Sequence, residues 1–268
     1  MQDHDGGPIA WREHGPADAE AVVVLLHGLG GTRTAWQPQL RALGQAGWRA
    51  VAWDMPGYGE SPAPAGRLGF PLLADAVVML LDELGVERAD LVGLSMGGMI
   101  ALHAAHRTPE RVRTLSLVDT SPKFGLDGTT SAQQWVAARL APLHAGETPA
   151  TMAHRVIRSV MAPTAPAAAV AEACAAMSRI SPAGLEAAVR CLPEHDLAAE
   201  LGRITTPAVV VVGEHDRETP PTYAKYLADH LARARLVVLP GVGHLSNLEA
   251  PDALNELLLD FLERQRSL

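Results

Sequence analysis

A serine between two glycines lies where a strand is expected to give way to a helix. Gly93-Leu94-Ser95-Met96-Gly97 fits the pattern G-x-S-x-G, after the apolar run 89–92 and at the start of the helical stretch 95–106. A sharp strand-to-helix turn pushes the hydroxyl outward, and glycines remove side chains that would clash there. The positive end of the helix dipole favours negative charge beside that hydroxyl. The pattern therefore predicts that Ser95 is a nucleophile.

One histidine stands where a general base for this serine is expected. A serine hydroxyl is a weak nucleophile and needs such a base. The chain has 11 histidines, and most lie in the N-terminal segment, on expected helices or in a long middle segment. We expect His27 to hold a glycine loop by hydrogen bonding, and His215 comes too early in the chain. His244 sits on a glycine-flanked loop after a late strand, so position predicts His244 as the base.

The base needs a carboxylate that fixes its tautomer and stabilises the imidazolium. Asp216 follows the strand expected at 208–212 and completes the chain order serine, aspartate, histidine. Asp119, at the end of the strand expected at 114–118, is the competing candidate, or it anchors the start of the middle segment. We predict Asp216 as the acid and keep Asp119 as the alternative.

Two backbone amides are expected to stabilise the oxyanion that forms when the serine attacks a carbonyl. The first is the N–H of Met96, which follows the nucleophile. The second belongs to the loop His27-Gly28-Leu29-Gly30-Gly31, and we predict the Leu29 N–H. This loop lacks the lysine and the spacing of a phosphate-binding loop. The predicted chemistry is a two-step acyl transfer through an acyl-enzyme on Ser95.

The elements that position these residues alternate between short β-branched runs and longer helical stretches. Strands are predicted at 22–26, 48–53, 89–92, 114–118, 208–212 and 235–239. Helices are predicted at 71–84, 95–106 and 251–264. This alternation favours an α/β fold with a mostly parallel central sheet and helices on both faces.

The segment 123–203 interrupts the alternation. It is rich in alanine, has helical patches at 132–140, 150–161 and 167–177, and contains no strand run. We therefore predict an α/β core formed by 1–122 and 204–268, with 123–203 as a helical insertion. Open α/β sheets bind ligands at the carboxyl ends of their strands, so we favour a cap that shapes a substrate pocket over a purely structural lid.

Composition narrows the partners and the location. Hydrophobic residues make up 48% of the 268 positions and the formal net charge is −8. An acidic surface repels phosphate backbones and anionic membranes, so a small-molecule substrate is expected rather than nucleic acid or a membrane. The N-terminus lacks the features of a signal peptide and no aliphatic run is long enough to span a bilayer, so we expect a cytoplasmic protein. Two cysteines predict no disulfide framework, and no Cys/His cluster has the spacing of a zinc site.

The chain resembles the α/β-hydrolase superfamily over nearly its whole length. The motifs are HGLGG at 27–31, DMPGYGES at 54–61, GLSMGG at 93–98, GEHD at 213–216 and GVGH at 241–244. Within it, the chain resembles 3-oxoadipate enol-lactonases through GLSMGGMIAL at 93–102, DTSPKFG at 119–125, GEHDRETPP at 213–221 and HLSNLEAP at 244–251. The resemblance implies the α/β-hydrolase fold, hydrolysis of a small enol-lactone that carries a carboxylate, and no cofactor.

Two departures from the lactonase pattern keep other functions open. The lactonases have D-T-R-G-H-G where this chain has DMPGYG at 54–59, a form more typical of C–C bond hydrolases and general esterases. The lactonase cap carries a Trp followed closely by an Arg, which implies Trp135 and Arg139 as substrate-binding residues here, although their spacing is one residue longer. Arg139 is then either the partner of the substrate carboxylate or a solvated helix charge. The alternatives are a C–C bond hydrolase, a biosynthetic carboxylesterase and a non-catalytic small-molecule receptor.

Overall fold

An eight-stranded sheet forms the centre of the computed structural model, which describes residues 1–19, 21–129 and 131–267. The strands are β1 (Gln2–His4), β2 (Ala10–His14), β3 (Val22–Leu26), β4 (Arg49–Asp54), β5 (Ala89–Leu94), β6 (Val112–Val118), β7 (Ala208–Gly213) and β8 (Ala234–Leu239). Their order across the sheet is β1-β2-β4-β3-β5-β6-β7-β8. All pairs from β4 to β8 are parallel, while β1 and β2 run antiparallel.

The prediction of a mostly parallel sheet is confirmed, and the count of six strands is wrong. All six predicted strands are present, with bounds shifted by no more than two residues. Five of them are mainly apolar runs buried on both faces, the pattern of central parallel strands, whereas β8 lies at the other edge of the sheet and is partly exposed. The two missed strands, β1 and β2, lie at one edge of the sheet and keep several half-buried or exposed polar side chains. An edge strand needs no continuous apolar run, so composition did not reveal them.

Ten helices flank or cover the sheet within the described ranges. They are α1 (Gln37–Gln45), α2 (Phe70–Glu83), α3 (Met96–Arg107), α4 (Ala132–His144), α5 (Pro149–Val160), α6 (Ala167–Met177), α7 (Pro182–Cys191), α8 (Pro221–His230), α9 (Ser246–Glu249) and α10 (Pro251–Arg266). The three helices predicted for the core correspond to α2, α3 and α10, whereas α1, α7, α8 and the short α9 were not predicted.

Alternate residues of β3 point to the two faces of the sheet and show where the core lies. Val22 and Val24 pack into a cluster with α2, α3 and α8. Val23 and Leu25 pack on the other side, in a cluster with α1 and α10. Helices on both faces therefore bury the sheet, as predicted. No helix in the described part of the chain is both long and apolar enough to cross a membrane.

The segment 123–203 contains the four helices α4 to α7 and no strand in its described residues apart from one isolated bridge, Lys123 to Asp196. The first and last parts of this segment are hydrogen-bonded to each other. The N–H of Phe124 donates to the carbonyl of His195 at 2.9 Å, and the N–H of Leu197 donates to the carbonyl of Pro122 at 2.9 Å. The helices therefore form one excursion that leaves the sheet after β6 and returns before β7.

Candidate active site

Five strand ends converge at one edge of the sheet, where the residues predicted to do chemistry are placed. His27 follows β3, Ser95 follows β5 and Asp119 follows β6. Asp216 and His244 lie in the loops after β7 and β8. Parallel strands present their carboxyl ends at the same edge, so side chains far apart in the sequence meet there.

Ser95 occupies a strained turn between β5 and α3. Its φ is +54° and its ψ is −120°, a conformation that non-glycine residues rarely adopt. Its N–H donates to the carbonyl of Val118 at 2.9 Å, and the hydroxyl of Thr120 donates to the carbonyl of Ser95 at 2.7 Å. Such strain costs on the order of 1–3 kcal/mol and persists only where the surroundings enforce it.

The glycines around Ser95 allow close backbone approach. A Cβ on Gly93 would lie 2.3 Å from the carbonyl oxygen of Gly97, and a Cβ on Gly97 would lie 2.0 Å from the carbonyl oxygen of Leu26. Real Cβ atoms do not come this close to backbone oxygens, so the turn could not form with larger residues. The G-x-S-x-G pattern is thus the packing requirement of this turn, and it exposes the Ser95 hydroxyl to a cavity.

The structure brings Ser95, His244 and Asp216 together in one hydrogen-bonded chain. His244 Nε2 lies 3.0 Å from Ser95 Oγ, and His244 Nδ1 lies 2.8 Å from Asp216 Oδ2. An ionised carboxylate only accepts, so Nδ1–H donates to Asp216 and the neutral ring accepts from the serine at Nε2. The hydroxyl of Thr219 donates to Asp216 Oδ2 at 2.8 Å, and the amides of Glu218 and Thr219 donate to Oδ1.

The charges of this chain are linked. Burial alone lowers the pKa of His244, but the negative charge of Asp216 and the hydrogen bond to it outweigh burial and raise that pKa to about 9. Burial alone raises the pKa of Asp216, but the His244 charge and the hydrogen bonds from His244 and Thr219 hold it below its usual value. The pair therefore favours a carboxylate beside an imidazole that gains a proton readily.

The loop that carries His244 is held by carboxylates from three places. Glu249 accepts from the N–H of Gly243 at 3.0 Å and from the N–H of Leu245 at 3.0 Å. The same side chain accepts from the N–H of Ala162 at 2.9 Å, just past the end of α5. Glu214 and Asp119 accept from further amides of the loop. The loop of His244 is thereby fixed both to the core and to the helical segment.

Asp119, the alternative acid, lies beneath the site without contacting the histidine ring. Its Oδ1 accepts from the N–H of Gly213 at 2.9 Å and its Oδ2 from the N–H of Ser246 at 3.0 Å. It is fully buried and adopts φ +46°. Burial and the nearby charge of Asp216 raise the pKa of Asp119 to about 7. The geometry favours Asp216, which contacts the ring, as the acid.

The loop between β3 and α1 faces the serine. A Cβ on Gly28 would lie 3.0 Å from Ser95 Cβ, so backbone and nucleophile are in close contact. His27 accepts at Nε2 from the N–H of Met55 and donates from Nδ1 to the carbonyl of Gly28, which holds the loop as expected. The hydroxyl of Tyr58 donates to the carbonyl of Leu29 at 2.9 Å. Carbonyl and ring contacts therefore fix how the Leu29 peptide is oriented.

The two predicted oxyanion donors remain available for a ligand. Within residues 1–19, 21–129 and 131–267, neither the Leu29 N–H nor the Met96 N–H donates to a protein acceptor. Leu29 lines the same cavity as Ser95, and Met96 begins α3 directly after it. Amides at the first turn of a helix have no partner within the helix and bind anions readily.

A cavity of about 370 Å³ lies above Ser95 and His244 and is lined by both. Trp135 and Arg139, which the resemblance implies as substrate-binding residues, line the same cavity. Arg139 donates to Glu218 Oε2 at 2.7 Å, and its guanidinium lies 5.2 Å from the ring centre of Trp135. Arg139 is therefore neither a free anion-binding group nor a purely solvated charge, because an acidic neighbour already holds it.

Three supporting residues were not predicted from the sequence. Thr219 follows Asp216 by three positions and Glu249 follows His244 by five, so both lie within motifs that the resemblance quoted. Tyr58 stands in the DMPGYG stretch, where the departure from the lactonase pattern drew attention only to substrate class. For Thr219 and Glu249, the signal available in the sequence was their short distance along the chain from a predicted triad residue. Tyr58 had no such signal.

Comparisons with known proteins show the family and the fold of the chain. The model of the alpha/beta hydrolase family matches residues 23–257. The chain is 37% identical to a protein of Variovorax paradoxus named carbamate hydrolase RutD, over 96% of this chain and 97% of that one. The structure of a hydrolase from Pseudomonas aeruginosa PA01 superposes with a TM-score of 0.85 at 33% identity, covering 95% of this chain and 94% of the other.

An enol-lactonase is among the solved relatives. The enol-lactonase from Burkholderia xenovorans LB400 superposes with a TM-score of 0.83 at 30% identity, covering 95% of this chain and 96% of that one. The resemblance stated from the motifs is thus confirmed at the level of fold and family. The match of the family model over most of the chain, together with these relatives, shows that this protein belongs to the alpha/beta hydrolase family.

Proposed function

We propose that this protein hydrolyses small carboxylic esters or lactones through an acyl-enzyme on Ser95, with His244 as the base and Asp216 as the acid of the triad. The observation that carries the proposal is the unbroken chain from Ser95 Oγ to His244 Nε2 at 3.0 Å and from His244 Nδ1 to Asp216 at 2.8 Å. Both distances are within the reach that proton transfer and orientation of the base require.

In the first step, Ser95 Oγ attacks the carbonyl carbon while its proton moves to His244 Nε2. The carbonyl oxygen becomes an oxyanion, which the N–H groups of Leu29 and Met96 bind. The raised pKa of His244 favours uptake of this proton, and Asp216 stabilises the imidazolium without taking the proton itself. Collapse of the intermediate breaks the bond to the alcohol oxygen, which receives the proton from His244.

In the second step, water replaces the alcohol. His244, neutral again, takes a proton from water as the water oxygen attacks the acyl carbon. The same two amides bind the second oxyanion, and Ser95 leaves with the proton returned by His244. In a lactone, acid and alcohol stay in one molecule and the ring is opened. Each oxyanion donor is expected to contribute about 100- to 1000-fold in rate.

Among such substrates we propose a 3-oxoadipate enol-lactone-like compound, with residues 123–203 acting as the cap over it. A solved relative is named an enol-lactonase, and Arg139 and Trp135 line the cavity beside Ser95. Arg139, held by Glu218, and the exposed Arg217, which lines the same cavity, form the cationic side on which a substrate carboxylate would bind. The pocket thus offers positive charge near the scissile bond in a chain of net negative charge.

The test compares p-nitrophenyl acetate hydrolysis by the wild type and by Ser95→Ala, with 3-oxoadipate enol-lactone as second substrate. We expect wild-type turnover of the acetate, near-complete loss in the variant, and fast opening of the lactone. Equal activity of the two proteins would refute the triad. Acetate turnover without lactone opening would refute the enol-lactone assignment, and a C–C bond substrate and an alkyl carbamate would then be tried. No turnover of any ester by the wild type would support a receptor.

A further inference from the structure

The cavity above Ser95 has one wall made only of apolar side chains. Every residue of α5, α6 and α7 that lines it is apolar. Seven of them are at most 4% exposed and define what we call the aliphatic wall: Met152, Ile157, Ala173, Ala176, Met177, Leu185 and Val189. These side chains also belong to the main hydrophobic cluster, so the wall is rigidly packed from behind.

The charged side chains that line the cavity come from other elements. The charged lining residues are Lys123, Arg139, Arg217 and Glu218, from the strand-end loops and α4, and each is at least partly exposed. Lys123 pairs with Asp196 and Arg139 with Glu218. Arg217 has no ion-pair partner within the described residues. The cavity is therefore divided between a cationic rim and an aliphatic interior.

We propose that the aliphatic wall binds a hydrocarbon arm of the substrate, so that among the esters and lactones of the proposed function those with an unbranched aliphatic arm of several carbons are preferred over the compact enol-lactone. This inference rests on the proposed hydrolase function. The ring and the carboxylate of an enol-lactone can lie on the cationic side of the cavity, but polar groups placed against the wall would be buried without hydrogen bonds, which is costly. A methylene chain loses water on entry and gains contact with the wall without that penalty.

The room for this arm comes from alanines on α6. Ala173 and Ala176 line the cavity and are 3% and 1% exposed, whereas Ala175 on the same helix is exposed and does not line it. A larger side chain at either buried position would fill the interior beside the wall. The same enlargement at Ala175 would point to solvent, which provides a matched control.

The first experiment measures kcat/KM for p-nitrophenyl acetate, butyrate, hexanoate and octanoate, and for the matching alkyl acetates. We expect kcat/KM to rise with chain length in one series, by at most about fourfold for each methylene, the gain that full removal of a methylene from water gives. The series that rises tells whether the arm lies on the acyl or the alcohol side. A flat or falling profile in both series would overturn the proposal.

The second experiment compares Ala176→Leu and Ala173→Leu with Ala175→Leu. We expect the two buried substitutions to lower kcat/KM for the hexanoate by about tenfold or more while that for the acetate changes by less than about threefold. Ala175→Leu should leave the profile unchanged. Thermal unfolding shows whether each variant is folded. If one of the two buried substitutions prevents folding, the other one is used for the comparison. Equal loss on acetate and hexanoate in a folded variant would count against the wall.

Binding without turnover separates this inference from the proposed function. Calorimetry of the Ser95→Ala protein with hexanoate and with acetate tests the wall even if no ester is hydrolysed. We expect tighter binding of hexanoate, and loss of that preference in Ser95→Ala with Ala176→Leu. Tighter binding of hexanoate by a protein that hydrolyses no ester would leave the wall standing and refute the hydrolase. Equal affinity for both acids would refute the wall alone.

A second inference concerns Asp119, and a different observation carries it. This side chain is fully buried, takes a strained φ of +46°, and forms no ion pair with a lysine or arginine within the described residues. Its two oxygens hold the N–H of Gly213, which begins the loop of Asp216, and the N–H of Ser246, which ends the loop of His244. A buried carboxylate without a counter-ion is costly, so a purely structural anchor would not need a charge at this point.

We infer that Asp119 is a positioning residue that sets the distance between the loops of acid and base and adds negative charge beneath His244. The ionisable groups that face His244 are Asp216, Asp119 and Glu218, and those that face Asp119 are Asp216 and His244. Because Asp119 loses its proton at a lower pH than His244 does, it is ionised while the base titrates and favours the protonated base.

The test compares Asp119→Asn with Glu249→Gln, which removes a carboxylate that holds the same loop from outside the triad. We expect kcat to fall about tenfold or more in Asp119→Asn, since one charge-assisted hydrogen bond is lost. We also expect the acid limb of kcat/KM against pH to move to lower pH in that variant alone. If the acid limb lies at the same pH in the wild type and in Asp119→Asn, Asp119 only anchors the two loops, and the inference about its charge is wrong.

A measurement on the wild type covers the case in which Asp119→Asn does not fold. The ring of His244 is followed by NMR as pH is varied. We expect two steps, a small one near pH 7 as Asp119 ionises and a larger one as the ring itself loses its proton. A single step would overturn the inference.

Discussion

The loops at the carboxyl ends of the parallel strands, called the sheet edge below, and the helices α4 to α7 are stabilised by different interactions. At the edge, positions are fixed by buried polar contacts and by glycines with no room for a Cβ, as at Gly93 and Gly97. Over the cavity, α5, α6 and α7 present only aliphatic side chains, which have no preferred direction of contact. Hydrogen bonds demand an angle and a distance, whereas apolar packing demands mainly volume.

In the proposed function, the reaction depends on the loops at the sheet edge, and selectivity among substrates depends on the aliphatic wall. A small displacement at the edge separates Ser95 from His244 and removes the reaction for every substrate. A similar displacement in the aliphatic wall changes the shape of the pocket and leaves the triad intact. Changes at the edge should therefore act on kcat for all substrates, and changes in the wall should act on the choice among them.

The largest effect is expected for Asp216→Asn. Loss of the carboxylate allows the wrong tautomer of His244 and removes the charge that stabilises the imidazolium, so kcat should fall by about 10⁴ for every substrate. Because Asp216 raises the pKa of His244, the wild-type acid limb should lie above the ordinary histidine range, and the variant's limb should move to lower pH. The residual activity of Asp216→Asn, measured as a function of pH, tests both the fall in kcat and the shift of the acid limb. A loss of activity confined to long-chain esters would contradict the assignment of the reaction to the sheet edge and of selectivity to the aliphatic wall.

The next effect is expected for Gly28→Ala in the oxyanion loop. The new Cβ would lie 3.0 Å from Ser95 Cβ and 3.2 Å from the carbonyl oxygen of Leu94, so the loop must shift by a few tenths of an ångström. Displacing one oxyanion donor should lower kcat by about tenfold to 100-fold.

Gly30→Ala in the same loop is the matched control. Nothing lies within 4 Å of a Cβ at Gly30, so this variant should keep its rate. The comparison is made on p-nitrophenyl acetate, with thermal unfolding of both proteins. Equal rates in the two variants would mean that the loop does not bind the oxyanion.

The sequence alone predicted the parts of this edge that depend on local rules. The apolar run of β5 followed by G-x-S-x-G defines the turn of Ser95, because the glycine pattern is itself a packing requirement. The order of Asp216 and His244 followed from their positions after late strands. The family was stated from the same motifs, and the match of the family model confirmed it.

Contacts between distant segments could not be predicted in this way. Glu249 holds Ala162, and Arg139 pairs with Glu218, across separations that no local pattern encodes. Likewise, β2 is a strand because β4 pairs with it, and its own residues alternate too weakly to reveal that. The aliphatic wall forms only when three helices pack together. The alanine-rich composition therefore indicated helices but not the cavity that they line.

A buried histidine lies where the helical segment returns to the sheet, and it makes the attachment of that segment sensitive to pH. His195 is 1% exposed and lies 2.8 Å from the carbonyl oxygen of Ser121, while His103 lies 3.2 Å from its other nitrogen. Burial lowers the pKa of His195 to about 4 and that of His103 to about 3. Both are therefore neutral in the fold at neutral pH.

Acid should destabilise this junction. The unfolded chain binds protons at these histidines below about pH 6.5, while the folded chain does not until about pH 4, so the free energy of unfolding should fall across that range. His195 alone should account for up to about 3 kcal/mol. Denaturant unfolding at several pH values measures it. His195→Gln should flatten the dependence, while replacing the exposed His154 on α5 by Gln should not.

The smallest effect is expected where the two regions meet, at the pair of Arg139 and Glu218. Both side chains are 32% exposed, and an exposed ion pair contributes under about 1 kcal/mol. Glu218→Gln frees the guanidinium for a substrate carboxylate, so KM for the carboxylate-bearing lactone should fall a few-fold. KM for neutral p-nitrophenyl acetate should stay the same, because that ester offers no carboxylate.

The effect of Glu218→Gln on substrate binding must be separated from its effect on His244. Glu218 donates its backbone N–H to Asp216, which the substitution preserves, but its charge also raises the pKa of His244. Rates must therefore be taken on the alkaline plateau, where the base is neutral in both proteins. Arg139→Gln should raise KM for the lactone alone. If Glu218→Gln changes both substrates equally, the pair acts on the triad, and selectivity for anions must come from Arg217 instead.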